Sequence, residues 1–98
     1  MASDLSPRMA AIVDALPLKA GMRVLEIGCG PGAAARAVAA RIGNGHILAI
    51  DRSAKAARQA RDGSAAEIES GRMSVLWIAA EDFQLEPGEA SFDLAFAI

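Results

Sequence analysis

Five residues of strand-forming character, Arg23-Val24-Leu25-Glu26-Ile27, run without a break into Gly28-Cys29-Gly30-Pro31-Gly32, and an alanine-rich stretch follows at once. No other feature restricts the fold as much. The glycines let the backbone turn through left-handed conformations that other residues avoid. Alanine is the strongest helix former, so residues 33–42 read as a helix, closed by Gly43 and Gly45 where a left-handed residue is needed. A strand that passes through a glycine turn directly into a helix is the first part of a β-α-β unit, whose continuation is a parallel strand. His46-Ile47-Leu48-Ala49-Ile50 supplies that strand.

The same alternation extends in both directions. Upstream, Ser6 offers a capping hydroxyl before Pro7 at the first helical position, and Met9, Ile12, Val13 and Leu16 fall on one face of an amphipathic helix. Downstream, Ser53 caps a helix running toward Ile68, which Asp62-Gly63-Ser64 should weaken or kink and Gly71 ends. Met73 to Ile78 and Phe92 to Ile98 are further strands, separated by a polar stretch with a turn at Glu86-Pro87-Gly88. Strands alternating with helices place the chain in the α/β class, with a Rossmann-like parallel sheet in a single domain over residues 1–98. All four strands are apolar on both alternating faces, as a parallel sheet covered on both sides requires.

A glycine turn at the carboxyl end of the first strand lets backbone approach a ligand closely, and the following helix adds N–H donors and a partial positive charge. Gly28, Gly30 and Ala33 also satisfy the dinucleotide fingerprint, so the loop alone leaves NAD open. Asp51, at the end of the second strand, can accept both hydroxyls of an adenosine ribose, which suits NAD and S-adenosylmethionine equally. Glu26 separates them. It lies two places before Gly28, near the ligand end of the sheet, where a pyrophosphate would meet a like charge while a sulfonium and an ammonium would be favoured. Pro31 points the same way.

With these residues in hand, Val24-Leu25-Glu26-Ile27-Gly28-Cys29-Gly30-Pro31-Gly32 resembles the first signature motif of class I S-adenosylmethionine-dependent methyltransferases. Ile50-Asp51-Arg52-Ser53 is similar to their second motif, Ala80-Glu81-Asp82 to the adenine-side segment, and Phe92 to Ile98 to the fourth strand. The resemblance covers essentially the whole chain and corresponds to the cofactor-binding front half of such an enzyme, truncated relative to the full fold. It implies that Gly28, Cys29, Gly30, Gly32 and neighbouring backbone hold the methionine portion, with Glu26 near its ammonium. Asp51 would take the ribose hydroxyls, Arg52 beside it belongs to the cofactor-binding set, and the Ala80 backbone and Glu81 would border the adenine. Relatives often carry an aspartate for the adenine amino group where this chain has Ala79; either Glu81 or Asp82 substitutes for it, or adenine recognition is looser. The activity implied is methyl transfer from S-adenosylmethionine to an acceptor that the sequence does not name, and no residue stands out as catalytic. A non-catalytic cofactor-binding or assembly module, and an NAD-dependent oxidoreductase fragment, are the alternatives.

Other chemistries find little support. Lys and Arg number 10 against 12 Asp and Glu, a net charge of −2, which provides no broad positive field for nucleic acid or an anionic membrane. Hydrophobic residues reach 53%, largely through alanine, yet no apolar run approaches the roughly 18 residues that span a bilayer. The N-terminus lacks a basic segment followed by an apolar one, and the single cysteine forms no internal disulfide, so a cytoplasmic location is expected. Cys29 has no histidine placed to activate it and reads as a small packing residue. His46 has no partner at metal-ligand spacing and reads as an edge residue; no metal is expected. Arg52, Lys55, Arg58 and Arg61 recur at helical spacing without aromatic neighbours and read as a solvated face. The Glu81-Asp82 pair reads as adenine-side polarity rather than an acid/base dyad, and Trp77 and Phe83 as core or loop anchors.

Right-handed parallel connections and the family's arrangement predict the strand order 3-2-1-4, with helices mainly on one face and the opening helix among them. The connection from Ala79 to Ser91 then crosses the opposite face without sustained apolar periodicity and covers it only partly. An open apolar sheet face and a free fourth-strand edge are therefore expected, together with self-association or a partner that covers them.

Overall fold

In the computed structural model, which describes residues 5–98, nine segments follow one another along the chain. They are α1 (Pro7–Ala15), β1 (Arg23–Ile27), α2 (Ala33–Ala39), β2 (His46–Asp51), α3 (Ala54–Gly63), α4 (Ala65–Glu69), β3 (Met73–Trp77), a 3-10 turn (Ala80–Asp82) and β4 (Leu94–Ala97). The sheet is parallel throughout, in the order β3-β2-β1-β4. The beginning of the domain at residues 1–4, and with it part of the N-terminal segment read for a leader, lies outside the described residues.

Local chemistry sets the helix boundaries. The Ser6 hydroxyl accepts from the Met9 N–H at 3.1 Å, and Pro7 occupies the first turn, where its missing N–H costs nothing. Ser53 caps α3 in the same way through the Ala56 N–H at 3.1 Å. The expected weak point at Asp62-Gly63-Ser64 is a full break between α3 and α4. Its cause is Arg36: the guanidinium reaches in from α2 to donate to the buried Ser64 hydroxyl at 2.9 Å, and a side chain on Gly63 would press against it. Helix α2 is shorter than the alanine run predicts, ending at Ala39 rather than near Ile42, because Arg41 already donates its N–H to the Val38 carbonyl. Gly43 takes the left-handed conformation at φ +57, as expected. Gly45 does not. A side chain there would collide with the Met22 carbonyl, so close approach of the turn before β2 to the residue before β1, not backbone handedness, requires glycine.

One hydrophobic cluster lies on one face of the sheet. Val24 of β1, Ile47 and Ala49 of β2, and Met73 and Val75 of β3 meet Val13 of α1, Ala34, Ala35 and Val38 of α2, and Ala57 and Ala60 of α3. Alanines pack closely enough to bring helix backbones against the strands, which explains why so small a chain can have a dense interior. The opposite face is open. Leu76 is 41% exposed, and Leu48 and Leu76 form the floor of a groove of about 690 Å³ beneath the connection from β3 to β4. Phe83 and Phe92 line it, with ring centroids 6.2 Å apart.

β4 is shorter than the run Phe92–Ile98 because Asp93 is spent in binding Arg23. Its carboxylate accepts the Arg23 N–H at 2.9 Å and its own N–H donates to the Arg23 carbonyl at 2.7 Å. Two minor expectations need correction. His46 begins an interior strand, not an edge: its Nδ1 meets the Gly71 carbonyl at 2.7 Å and its Nε2 the Ser74 hydroxyl at 3.0 Å, tying β2 to β3. Trp77 is no core residue, being 63% exposed, although its indole N–H anchors it to the Arg52 carbonyl at 3.0 Å.

The Gly45 contact generates a test. Gly45→Ala must displace backbone rather than a flexible side chain, so it should destabilise the fold by about 1–3 kcal/mol. A lowered urea midpoint with unchanged slope is the expected result, and an unchanged midpoint would refute the packing argument.

Candidate functional site

At the carboxyl ends of the strands, β2 clamps the glycine loop. The Ile50 carbonyl accepts the N–H groups of both Gly28, at 2.9 Å, and Cys29, at 3.0 Å. The Asp51 carboxylate accepts the Gly30 N–H at 2.9 Å through Oδ2 and the Ser53 N–H at 2.8 Å through Oδ1. Gly32, at φ +94, starts α2, and its N–H donates to the Cys29 carbonyl at 3.1 Å. Pro31 has no N–H. Every N–H of the loop is therefore consumed inside the protein, so the loop is no nest for a pyrophosphate. What it offers a ligand is the bare backbone of Gly28 and Gly30, where an added side chain would project into open space.

Beside the loop is a cleft of about 290 Å³, at the lower end of the range for small-molecule sites. Of the residues expected at a ligand, Gly28, Asp51, Arg52, Ala80 and Glu81 line this cleft. Gly30 is partly buried and held to Asp51. Glu26, Cys29 and Gly32 are not among the residues that line it. Cys29 is buried, with its thiol directed to the Gly30 carbonyl at 3.5 Å, and Gly32 packs against Ala60 and Arg36. Burial, with the charges of Glu26 and Asp51 adding to it, pushes the Cys29 thiol up to about 12, so it is no nucleophile at neutral pH. Glu81 lines the cleft whereas Asp82 lines the groove on the open sheet face, so of the two it is Glu81 that stands near any occupant.

The apolar walls, Ile27, Ile50 and Ile78, are residues that motif reasoning passed over. Register could have found them. Ile27 and Ile50 pair in adjacent strands, and the Ile78 N–H continues the ladder to the Asp51 carbonyl, so they sit side by side at the strand ends.

Glu26 is the unusual group. It is 1% exposed, its Oε1 is buried without a hydrogen-bond partner, and alternation along β1 puts it on the same face as Val24, beneath the loop. Its register neighbours are Ala49 and Phe96, neither of which can satisfy a carboxyl. Burial first, and the nearby charge of Asp51 second, push its pKa up to about 8. A carboxyl so enclosed is neutral at physiological pH unless a cation reaches it. Among the described residues, no group of three or more His, Cys, Asp or Glu is arranged to hold a metal ion.

The profile of a methyltransferase domain family matches residues 24–98, a span that begins in β1 and runs through the clamp, the cleft and β4. The chain belongs to this methyltransferase domain family. Solved structures agree. A phosphoethanolamine N-methyltransferase from Haemonchus contortus, in complex with phosphoethanolamine and S-adenosylhomocysteine, superposes with a TM-score of 0.79 at 26% identity, covering 99% of this chain and 20% of its own. A methyltransferase from Thiobacillus denitrificans, in complex with S-adenosylhomocysteine, gives 0.74 at 26%, covering 96% of this chain and 37% of its own. A precorrin-6y C5,15-methyltransferase from Geobacter metallireducens shares the fold at a TM-score of 0.79 and 18% identity, over 99% of this chain and 52% of its own. The methyltransferase domain described here thus spans between a fifth and about half of these three relatives. No curated protein sequence matches it significantly. Among the described residues, no helix is long and apolar enough to cross a membrane.

The enclosed carboxyl predicts how the methyltransferase domain responds to pH. Because the folded pKa of Glu26 lies above the unfolded value of 4.5, the folded state keeps a proton that the unfolded state releases between pH 4.5 and about 8. This contribution is fully present below pH 4.5, is lost as pH rises through that window and is flat above it, with a span of at most about 5 kcal/mol. The melting temperature should fall between pH 5 and pH 8, and Glu26→Gln should flatten that fall and melt higher than wild type at pH 8. An unaltered slope in the variant would assign the pH dependence to another group.

Proposed function

We propose that this chain is the cofactor-binding portion of an S-adenosylmethionine-dependent methyltransferase. The observation that carries the reading is the buried Glu26 carboxyl, with an unpartnered oxygen, under a loop that has no N–H to spare. This donor set fits a ligand with a cationic end and opposes one with a pyrophosphate, so the NAD-dependent alternative falls behind. When bound, the cofactor supplies a methyl group on a sulfonium that is already a good leaving group.

The chain's own residues bind and orient. Glu26 lies toward the amino-acid end and favours its ammonium. Asp51 is held in orientation by accepting two backbone N–H groups, and the lone pairs left on its oxygens can accept ribose hydroxyls. Ile27, Ile50 and Ile78 offer apolar surface to the adenosine, with Ala80 and Glu81 at its rim. Alignment of the methyl group for in-line attack is the main contribution such a site can make, worth roughly 7–11 kcal/mol when complete. The acceptor is not specified by these residues. Under the same proposal the chain works in the cytoplasm, where its lone buried thiol stays reduced.

Calorimetry should show binding of S-adenosylmethionine and S-adenosylhomocysteine and weaker binding of NAD. Asp51→Ala should cost about 1–3 kcal/mol of that affinity. Tighter binding of NAD than of either of the others would reverse the assignment.

The same proposal extends to assembly. Leu76, the groove over Leu48 and the outer edge of β4 leave apolar surface and strand backbone uncovered. The chain therefore self-associates through this face. Sedimentation velocity over a range of concentrations should show a rising mean mass, and a strictly monomeric species that binds no apolar dye would count against it.

A further inference from the structure

We propose that in the free protein Glu26 and Asp51 together hold one proton, and that seating the ammonium of a ligand's amino-acid end beside Glu26 expels it. Cofactor binding is then coupled to proton release through the amino-acid end and not through the adenosine. This inference rests on the S-adenosylmethionine reading above and adds to it a proton that the bound state no longer contains.

The geometry fixes which of the two acids carries the proton. Asp51 has both carboxylate oxygens engaged by backbone N–H groups, from Gly30 and Ser53. Glu26 has the opposite surroundings: it is almost fully buried, with one oxygen unpartnered. Around it, β2 contributes Ala49 in register and the Asp51 charge at its end, β4 contributes Phe96, and the loop contributes Cys29 as a neutral thiol. From the helices on its face come apolar residues, Val13 of α1 and Ala34, Ala35 and Val38 of α2. The cation of α2, Arg36, donates to the Pro31 carbonyl at 3.0 Å and to the Ser64 hydroxyl. Arg23 stands three residues before Glu26, on the alternate face of β1, where it lines the groove of the open side. Both influences on the Glu26 proton, desolvation and Asp51, act to retain it. An ammonium brought against the carboxyl reverses the balance, because a fixed positive charge favours the ionised form. The step balances simply: the carboxyl O–H bond breaks, the proton passes to buffer, and the carboxylate is left paired with the ammonium.

Two ligands separate the ends of the cofactor. S-adenosylhomocysteine carries the amino-acid end, whereas 5′-methylthioadenosine has the adenosine and thioether without it. Titration of each into the wild-type chain at pH 7, in buffers of different ionisation enthalpy, reads the number of protons exchanged. With Glu26 largely protonated at that pH, S-adenosylhomocysteine should release close to one proton and 5′-methylthioadenosine none. Affinity for S-adenosylhomocysteine should rise by up to about tenfold per pH unit between roughly pH 6 and 8, then level off. Glu26→Gln should abolish both the release and the slope. Binding of S-adenosylhomocysteine without proton exchange, equal release by the two ligands, or release that survives in Glu26→Gln would each overturn the coupling while leaving the cofactor reading intact. Failure of both ligands to bind the wild-type chain would instead overturn the cofactor reading, and the coupling with it.

Discussion

The carboxyl end of β2 holds the rest of the site in shape. One carbonyl, that of Ile50, and one carboxylate, that of Asp51, take up the N–H groups of Gly28, Cys29 and Gly30. Left-handed glycines at φ +75, +55 and +94 are free to adopt many conformations in an unfolded chain, and these bonds select one. Once the loop is fixed, α2 starts at Gly32 against Ala60, Cys29 turns inward, and the space over Glu26 is closed from solvent. Loop, helix and buried acid thus follow from a contact between residues about 21 positions apart, which only the parallel pairing of β1 with β2 brings together.

That arrangement explains why two acids tolerate one another at the heart of so small a fold. Asp51 does structural work with both oxygens, each accepting a backbone N–H. Glu26 accommodates by remaining neutral, the usual response of a carboxyl that is buried without a partner. The pair is consequently a poor choice for stability alone. An apolar residue of similar size at position 26 would fill the same space without an orphaned oxygen. Stability forgone at a position that faces a ligand loop is best understood as a binding feature.

Much of this was legible in the sequence, and the parts that were not share a cause. Strand order, the glycine loop, the caps at Ser6 and Ser53 and the weak point near Gly63 follow from local rules: propensity, capping hydroxyls, alternation and the hand of parallel crossovers. Glu26 and Asp51 stand out because carboxylates are conspicuous at strand ends. The isoleucine walls were missed because apolar strand residues all look alike until register pairs Ile27 with Ile50. The places of Cys29 and Gly32 within the loop are hidden from the sequence for a different reason. A motif marks the loop as a unit, but whether a given loop residue faces the ligand or the interior depends on φ and on neighbours such as Ala60, which lies far away in sequence. Likewise the reason for Gly45 is a contact with Met22, and the break at Ser64 follows from Arg36 arriving from another helix. Local signals specify elements; tertiary contacts assign roles within them.

The cleft and the groove of the open sheet face are neighbours along the strand ends. The clamp and the cleft are assembled from β1, β2, the end of β3 and the turn through Glu81, and their packing support comes from the helix-covered side. The open side contributes Leu48, Leu76 and the two phenylalanines of the connection, and Asp82 marks the boundary, lining the groove where Glu81 lines the cleft. Ile78 lines both the groove and the cleft, so whatever covers the open face changes the burial of Leu76 and the pairing of β4 and also abuts the cleft. A substitution at Ile78 is therefore felt in both the cleft and the groove, whereas one at Leu76 acts first on the groove.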